Sequence, residues 1–354
     1  MPSSSLLATV VAIRSAVTSS VNIMTVRPSL DPAVAEVRRA VRGALETIRG
    51  HGVVVGLSGG ADSLALAAAV AVEAPRLDVR ATAVTVDHGL QAGSDAVAAR
   101  AVDLARSLGL PARVMRVEVA DTGDGPEAAA RAARSAALRA AAAEAAASAV
   151  LLAHTLDDQA ETVLLGLARG SGTASLAGMA PVRERDGVRW MRPLLAVRRA
   201  ATRRACAAEG LDPWDDPHNV DSAYARVRVR HRVLPVLEAE LGPGVAEALA
   251  RTAEQLREDA EAFDELIAET IEDIVEPAEG GIAISVAALA ANPAALRHRI
   301  IRHVAASEFH VSLTRTQTLE VARLVTDWRG QGPIDLPRCR AGRAGSRIEL
   351  IART

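Results

Sequence analysis

Residues 53–64, VVVGLSGGADSL, run from an apolar stretch into a serine, two glycines and an acid. The valines predict a buried strand, and the loop after the carboxyl end of a strand in a parallel sheet is where ligands bind. A helix starting there turns free N–H groups and the positive end of its dipole toward that loop. Gly59 and Gly60 let backbone amides approach an anion, Ser58 and Ser63 add hydroxyl donors, and Ala61 and Asp62 open the helix. The ordinary alternative is a tight turn with Asp62 as the helix cap. The loop is neither GxxxxGK[ST] nor GxGxxG, and the chain has no lysine, so all 41 of its cations are arginine.

Outward from this loop, a helix is predicted over 32–49, and short β-rich runs recur about every 30 residues, at 52–57, 80–87, 112–119 and 149–153. Helical segments lie between them at 62–74, 93–108 and 126–147, the last rich in alanine and opened by Pro126. Strand, helix, strand at this spacing predicts parallel βαβ units, an α/β fold with helices on both faces of the sheet. The pattern lapses over 205–225, where prolines and aspartates suggest a connector. Beyond it, 226–275 and 286–329 look helical, and the tail around 332–352 reads as a hairpin. A length of 354 residues suits two domains, expected at 25–225 and 226–354, the second smaller and mainly helical. Residues 1–24 have no acid and are expected to be a disordered extension.

Hydrophobic residues make up 49% of the chain but only six are aromatic, so packing rests on Ala, Val and Leu, and an aromatic base-stacking platform is not expected. Cys206 and Cys339 form no CxxC, which argues against a disulfide framework or sulfur cluster and fits a reduced cytosolic compartment. No apolar run reaches the roughly 18 residues of a membrane span.

A second motif, HTLDDQAET at 154–162, follows the predicted strand at 149–153. His154 then falls at a strand end, while Asp157, Asp158 and Glu161, spaced three and four apart, converge on one side of a helix. Thr155 and Asp158 also spell a capping box. Three acids and a histidine at the same sheet edge as a phosphate loop predict a wall that seats Mg²⁺ against phosphate oxygens or holds a cationic substrate. His88, after the second strand, belongs to that edge. Arg131 and Arg134 lie one turn apart and suit phosphates or these acids.

The net charge of -2 hides an uneven distribution. Between 183 and 204 eight arginines, including Arg192, Arg203 and Arg204, face only Glu184 and Asp186; Arg226, Arg228, Arg230 and Arg232 follow, whereas 254–278 is acidic. Such a stripe suits a nucleic-acid backbone, unless arginine simply replaces lysine on solvated surfaces.

A strand running into SGGxDS resembles the pyrophosphate loop of the N-type ATP pyrophosphatases. VDHGLQAGS (86–94), AARAARSAAL (129–138), HTLDDQAETVLLGLARGSG (154–172), RPLL (192–195), DDPHN (215–219) and ARVRVRHRVLP (225–235) follow in the order of the tRNA(Ile)-lysidine synthetase family, over about residues 35–240. The resemblance implies an adenine nucleotide alpha hydrolase-like (Rossmann-like) catalytic domain followed by a tRNA-binding domain. Its implied reaction uses ATP: the 2-carbonyl oxygen of the wobble cytidine of tRNA(Ile) with a CAU anticodon attacks the α-phosphate, pyrophosphate leaves, and L-lysine displaces AMP. By the same resemblance residues 58–63 and His88 line the nucleotide site, Asp62 holds Mg²⁺, and Asp157, Asp158 or Glu161 binds or deprotonates lysine. Ser135 stands where the family often has an aromatic and Gln91 where it often has Arg. Rival expectations are another PP-loop tRNA-modifying enzyme and a non-catalytic ATP-binding regulator. The oligomeric state is open, with a homodimer among the expectations.

Overall fold

The computed structural model describes residues 30–89, 93–119, 125–170 and 172–353. The expected extension at 1–24 and the departure at Gln91 lie outside these residues. α1 (Pro32–Glu46) is capped by Asp31, which accepts the Ala33 N–H at 2.8 Å, with proline in the first position. Then β1 (Gly52–Gly56), α2 (Ala61–Glu73), β2 (Arg80–Asp87), α3 (Ser94–Ser107), β3 (Ala112–Arg116), α4 (Pro126–Glu144) and β4 (Ala147–Leu151) alternate as the spacing predicts. α5 (Leu156–Ala168), α6 (Thr173–Leu176), β5 (Val182–Arg185), β6 (Val188–Met191) and α7 (Arg199–Ala208) complete this part.

The six strands stand in the order β3-β2-β1-β4-β6-β5, with only the β5–β6 contact antiparallel. Val53 and Val55 pack with α1, α2 and α7, while Val54 packs with Leu138, Ala141 and Ala142 of α4 on the other face. Alternation of side chains across a strand buried on both faces is why β1 is apolar throughout. Small alanines on α2 and α4 bring those helices close to the sheet, which replaces the missing aromatic bulk. Consecutive elements wind to β2 and β3 on one side of β1 and to β4 on the other. The loops after β1 and β4 therefore part at the switch point, where a crevice opens at the carboxyl edge.

The β5–β6 hairpin lies inside the arginine-rich run and was not among the expected strands. Its turn is Asp186–Gly187, both with positive φ (53° and 73°), the pairing that a tight hairpin demands.

The C-terminal part begins with α8 (Ala225–Arg228), a π-helical turn at Val229–Val233, and α9 (Leu234–Leu241). Gly242, Pro243 and Gly244 break the expected long helix before α10 (Val245–Ile274). β7 (Val275–Ala278), β8 (Gly281–Ser285), α11 (Val286–Ala291), α12 (Ala294–Phe309), α13 (Arg315–Thr326), β9 (Ile334–Leu336), β10 (Cys339–Ala344) and β11 (Arg347–Ala352) follow. The tail hairpin is β10–β11. It joins a five-stranded antiparallel sheet, β7-β8-β11-β10-β9, three of whose strands have at most five residues, too short for their pattern to stand out. Ile284, Ile300, Ile301, Leu324, Ile348 and Leu350 fill its separate core. No described helix is long and apolar enough to cross a membrane.

Candidate active site

β1 ends at Gly56, and the loop after it is built as its residues predict. Gly59 has φ +82°, a left-handed conformation that glycine adopts without strain. Ser63 ties the turn together: its hydroxyl donates to the Gly60 carbonyl at 2.9 Å and accepts from the Ser58 N–H at 3.1 Å. The N-cap of α2 is Gly60, with no side-chain cap, so the free amides of Ala61 and its neighbours face the crevice. Asp62 is therefore not the cap that the ordinary reading offered. Its Oδ1 accepts a short hydrogen bond from the Thr202 hydroxyl on α7, and its Oδ2 lies 3.5 Å from Arg199 Nε. Burial raises its carboxyl above the usual range, against the pull of Thr202 and Arg199.

At the end of β4, Thr155 and Asp158 form the predicted capping box. Asp158 Oδ2 accepts both the Thr155 N–H and its hydroxyl at 2.8 Å. Its other oxygen, Oδ1, accepts from Arg199 Nη2 at 2.6 Å and from Arg230 at 3.4 Å. Burial would push this carboxyl up; Arg199 and the Thr155 amide hold it below its ordinary value. Glu161, 0% exposed, accepts from Arg230 Nε at 2.8 Å and from Arg199 Nη1 at 3.1 Å, with Arg226 Nε at 4.0 Å. Asp157 accepts the Arg199 backbone N–H at 2.7 Å and lies 3.3 Å from the Arg198 guanidinium. Four acids thus meet four arginines, and Arg199 touches Asp62, Asp158 and Glu161 at once. Its guanidinium is held even more firmly protonated than usual despite burial.

This network revises the basic stripe. Arg226 and Arg230 turn inward onto Glu161, and Arg228 binds the Ser222 and Ala223 carbonyls at 2.7 and 2.6 Å. They sit on helical backbone packed against α5, which aims them at the acids rather than along an open strip. In the 183–204 run, Arg185, Arg189, Arg198, Arg199 and Arg203 pair with carboxylates, Arg203 with Asp215 at 3.0 Å. Among the described residues, Arg183, Arg192 and Arg204 meet no carboxylate.

A second group of cations is unpaired. Arg131 and Arg134 on α4 and Arg192 after β6 have no carboxylate partner among the described residues; Arg192 donates only to the Ala180 carbonyl, at 2.8 Å, and its buried Nε has no partner. Arg134 is open to solvent yet crowded, as at a cleft mouth; its surroundings and Arg131 lower its pKa. Burial, Arg131 and Arg183 do the same to Arg192. Two neutral imidazoles stand beside them. Burial pushes His154 down to about 4, and burial and Arg134 lower His88. Among the described residues, both nitrogens of His88 and the Nδ1 of His154 are buried without a partner. Unsatisfied buried polar atoms among unpaired cations mark a place prepared for a polar anion.

The residues missed in the sequence are Arg199 and Thr202. One signal was available: Arg198 and Arg199 occupy the N-cap and first position of α7, where the helix dipole disfavours cations, so a specific acidic partner was required. Trp214 was also missed. Its backbone N–H donates to the Gly59 carbonyl at 3.0 Å and lays the connector against the glycine loop. Cys206 is no nucleophile: its thiol donates to the Ala61 carbonyl and burial raises its pKa to about 11.

Residues 33–237 match the PP-loop domain family and residues 284–348 the TilS substrate binding domain. A cradle of amides at the switch point of a parallel sheet, together with this match, defines an ATP-binding protein of the PP-loop class. The tRNA(Ile)-lysidine synthase of Leifsonia xyli subsp. xyli is 62% identical over 293 residues, 82% of this chain and 87% of its own. That of Streptomyces coelicolor is 54% identical over 302 residues, 84% of each. The chain belongs to the tRNA(Ile)-lysidine synthase family. The U34-tRNA thiolase NcsA of Methanococcus maripaludis shares the fold, with a TM-score of 0.55 at 20% identity over 64% of this chain and 79% of that one.

Proposed function

We propose that this chain ligates L-lysine to the 2-position of the wobble cytidine of tRNA(Ile) with a CAU anticodon, in the cytoplasm, at the expense of ATP. The observation that carries the reading is the division of the crevice into an amide cradle with unpaired arginines on one side and an acid wall on the other. The amides of residues 59–63 and the α2 dipole take the pyrophosphate end of ATP. Arg131, Arg134 and Arg192 face the transferring phosphoryl group and the RNA backbone, where charge develops as the cytidine oxygen attacks the α-phosphate and pyrophosphate departs. His88 and His154, neutral at pH 7, offer hydrogen bonds to the nucleotide without adding charge.

Among the described residues no group of three or more His, Cys, Asp or Glu side chains is arranged to hold a metal. A Mg²⁺ carried on ATP needs only one or two protein carboxylates, and Asp62, beside the cradle, is the one placed to serve. When bound, the ion neutralises phosphate charge. The lysine ammonium docks against Asp157, Asp158 and Glu161, in competition with Arg199 and Arg230. With its pKa held down, Asp158 acts as a binding carboxylate and not as the base. The lysine ε-amine, its proton taken up by Asp157 or Glu161, attacks C2 of the adenylated cytidine, and AMP leaves. Arg204 and, once released from Asp215, Arg203 extend the cationic surface toward tRNA.

The test is purified protein with ATP, CAU-anticodon tRNA(Ile) and lysine, read by pyrophosphate release and by mass spectrometry of tRNA nucleosides. Lysidine should form only with all three present. Pyrophosphate release indifferent to tRNA would reject the reading and favour a regulator, and a different modified nucleoside would favour another PP-loop enzyme.

A further inference from the structure

Gln159, in the middle of the acid motif, faces away from the acids. It is 2% exposed, and its amide clasps one residue of a distant turn: Nε2 donates to the Met179 carbonyl at 3.0 Å and Oε1 accepts the Met179 N–H at 2.7 Å. The neighbouring Gly178 has φ +63°, and a Cβ there would fall 2.6 Å from Gln159 Oε1, so the turn closes only around glycine. The same turn is gripped from the other side. Arg257, on α10, donates through Nη1 to the carbonyls of Met179 at 2.9 Å and Ala177 at 3.2 Å. Arg299 on α12 reaches Thr173 Oγ1 at 3.0 Å, its guanidinium stacked over Phe263 at 4.3 Å. Turn 177–179 is thus a joint: α5 holds one side and the helices of the C-terminal part hold the other. A half-buried guanidinium whose Nη1 holds two backbone carbonyls is fixed in place, unlike a screened surface ion pair.

We propose that Gln159 and Arg257 are positioning residues for the tRNA: by locking turn 177–179 between α5 and α10 they set the orientation in which RNA held by the C-terminal part meets the acid wall, whose residues lie within two positions of Gln159 on α5. The inference rests on the reading that the C-terminal part holds tRNA. Both side chains are engaged by the backbone of turn 177–179 rather than by the acids or the glycine loop, so their loss acts through geometry.

Arg257→Ala and Arg257→Lys in the full chain test it, with nitroxide labels on cysteines introduced at the exposed Ser107 and Glu320; native Cys206 and Cys339 are buried. Arg257→Ala should broaden the distance between labels and raise the KM for tRNA about tenfold, a loss of about 1.4 kcal/mol of binding, while KM for ATP and lysine stays within twofold of wild type. Arg257→Lys, which keeps a cation with several donors but loses the planar guanidinium and its reach, should recover part of this. Gly178→Ala, which displaces the Gln159 amide, should reproduce the tRNA effect. A tRNA KM unchanged by Arg257→Ala overturns the proposal, as does a parallel rise in all three KM values. Wild-type turnover with no saturable dependence on tRNA would instead bring down the parent reading and the inference with it.

Discussion

Two sets of arginines share one edge of the sheet and live opposite lives. Arg199, Arg226 and Arg230 are spent on Asp62, Asp158 and Glu161, whereas Arg131, Arg134 and Arg192 have no carboxylate among the described residues. All six are the same residue type, but Arg199, Arg226 and Arg230 are half-buried or deeper, whereas Arg131 and Arg134 are exposed. The difference teaches that a charge reports on function through its partner: a paired arginine holds the protein together, and an unpaired one is available to a ligand.

The sharpest way to break this comparison is Arg199→Ala. It leaves a nearly buried Asp158 without its nearest counter-charge and a fully buried Glu161 with Arg230 but one arginine short. Removing one partner of such a network costs about 3 to 5 kcal/mol. Urea unfolding should show a loss of that order together with loss of turnover; a change below about 1 kcal/mol, the scale of a surface pair, would mean the network is slack.

Acid comes next in size. His154 is neutral in the fold, with a pKa of about 4 against about 6.5 in an unfolded chain. The unfolded chain therefore takes up its proton first as pH falls. The stability this ring contributes is complete above pH 6.5 and is lost between 6.5 and 4, about 3 kcal/mol in all. Asp158, whose pKa is depressed, adds a later loss, present above the unfolded value near pH 4 and declining below it. His154→Gln should flatten the first decline and spare the second; an identical pH profile would contradict the burial assigned to the ring.

The smallest effect concerns the outer arginines. Arg203 and Arg204 changed together to Ala should flatten the salt dependence of tRNA binding by about one to two in log–log slope, with ATP affinity unchanged. The Arg203–Asp215 pair is exposed, so stability should move by less than about 1 kcal/mol. Equal loss of ATP binding would show that these residues hold the fold.

Much of this was legible in the sequence because it is local. β1 to β4 announce themselves as apolar runs at even spacing, the glycine loop follows directly from the first, and the Thr155–Asp158 capping box lies within four residues. What was not legible depends on contacts across the chain. Nothing near residue 199 says that its guanidinium lands between Asp62 and Glu161, and the alternation of Arg with Val at 226–230 reads as an exposed strip until helical backbone turns two of the arginines inward. The β5–β6 hairpin was hidden by its charges although Asp186–Gly187 is a hairpin signal. β7, β8 and β9 were too short to be seen, and only their pairing makes them strands: β9 with β10, β8 with β11, and β7 with β8.

The measurement closest to the central claim compares Arg134→Ala with wild type in two assays on one preparation, urea unfolding and tRNA-dependent pyrophosphate release. Because Arg134 sits among like charges with no carboxylate partner among the described residues, its removal should leave stability unchanged or slightly higher, while turnover falls about a hundredfold, as when a charge contact to a transition state is deleted. If Arg134→Ala unfolds as readily as Arg199→Ala, or if turnover survives, the division of the crevice into a paired wall and an unpaired anion cradle is wrong.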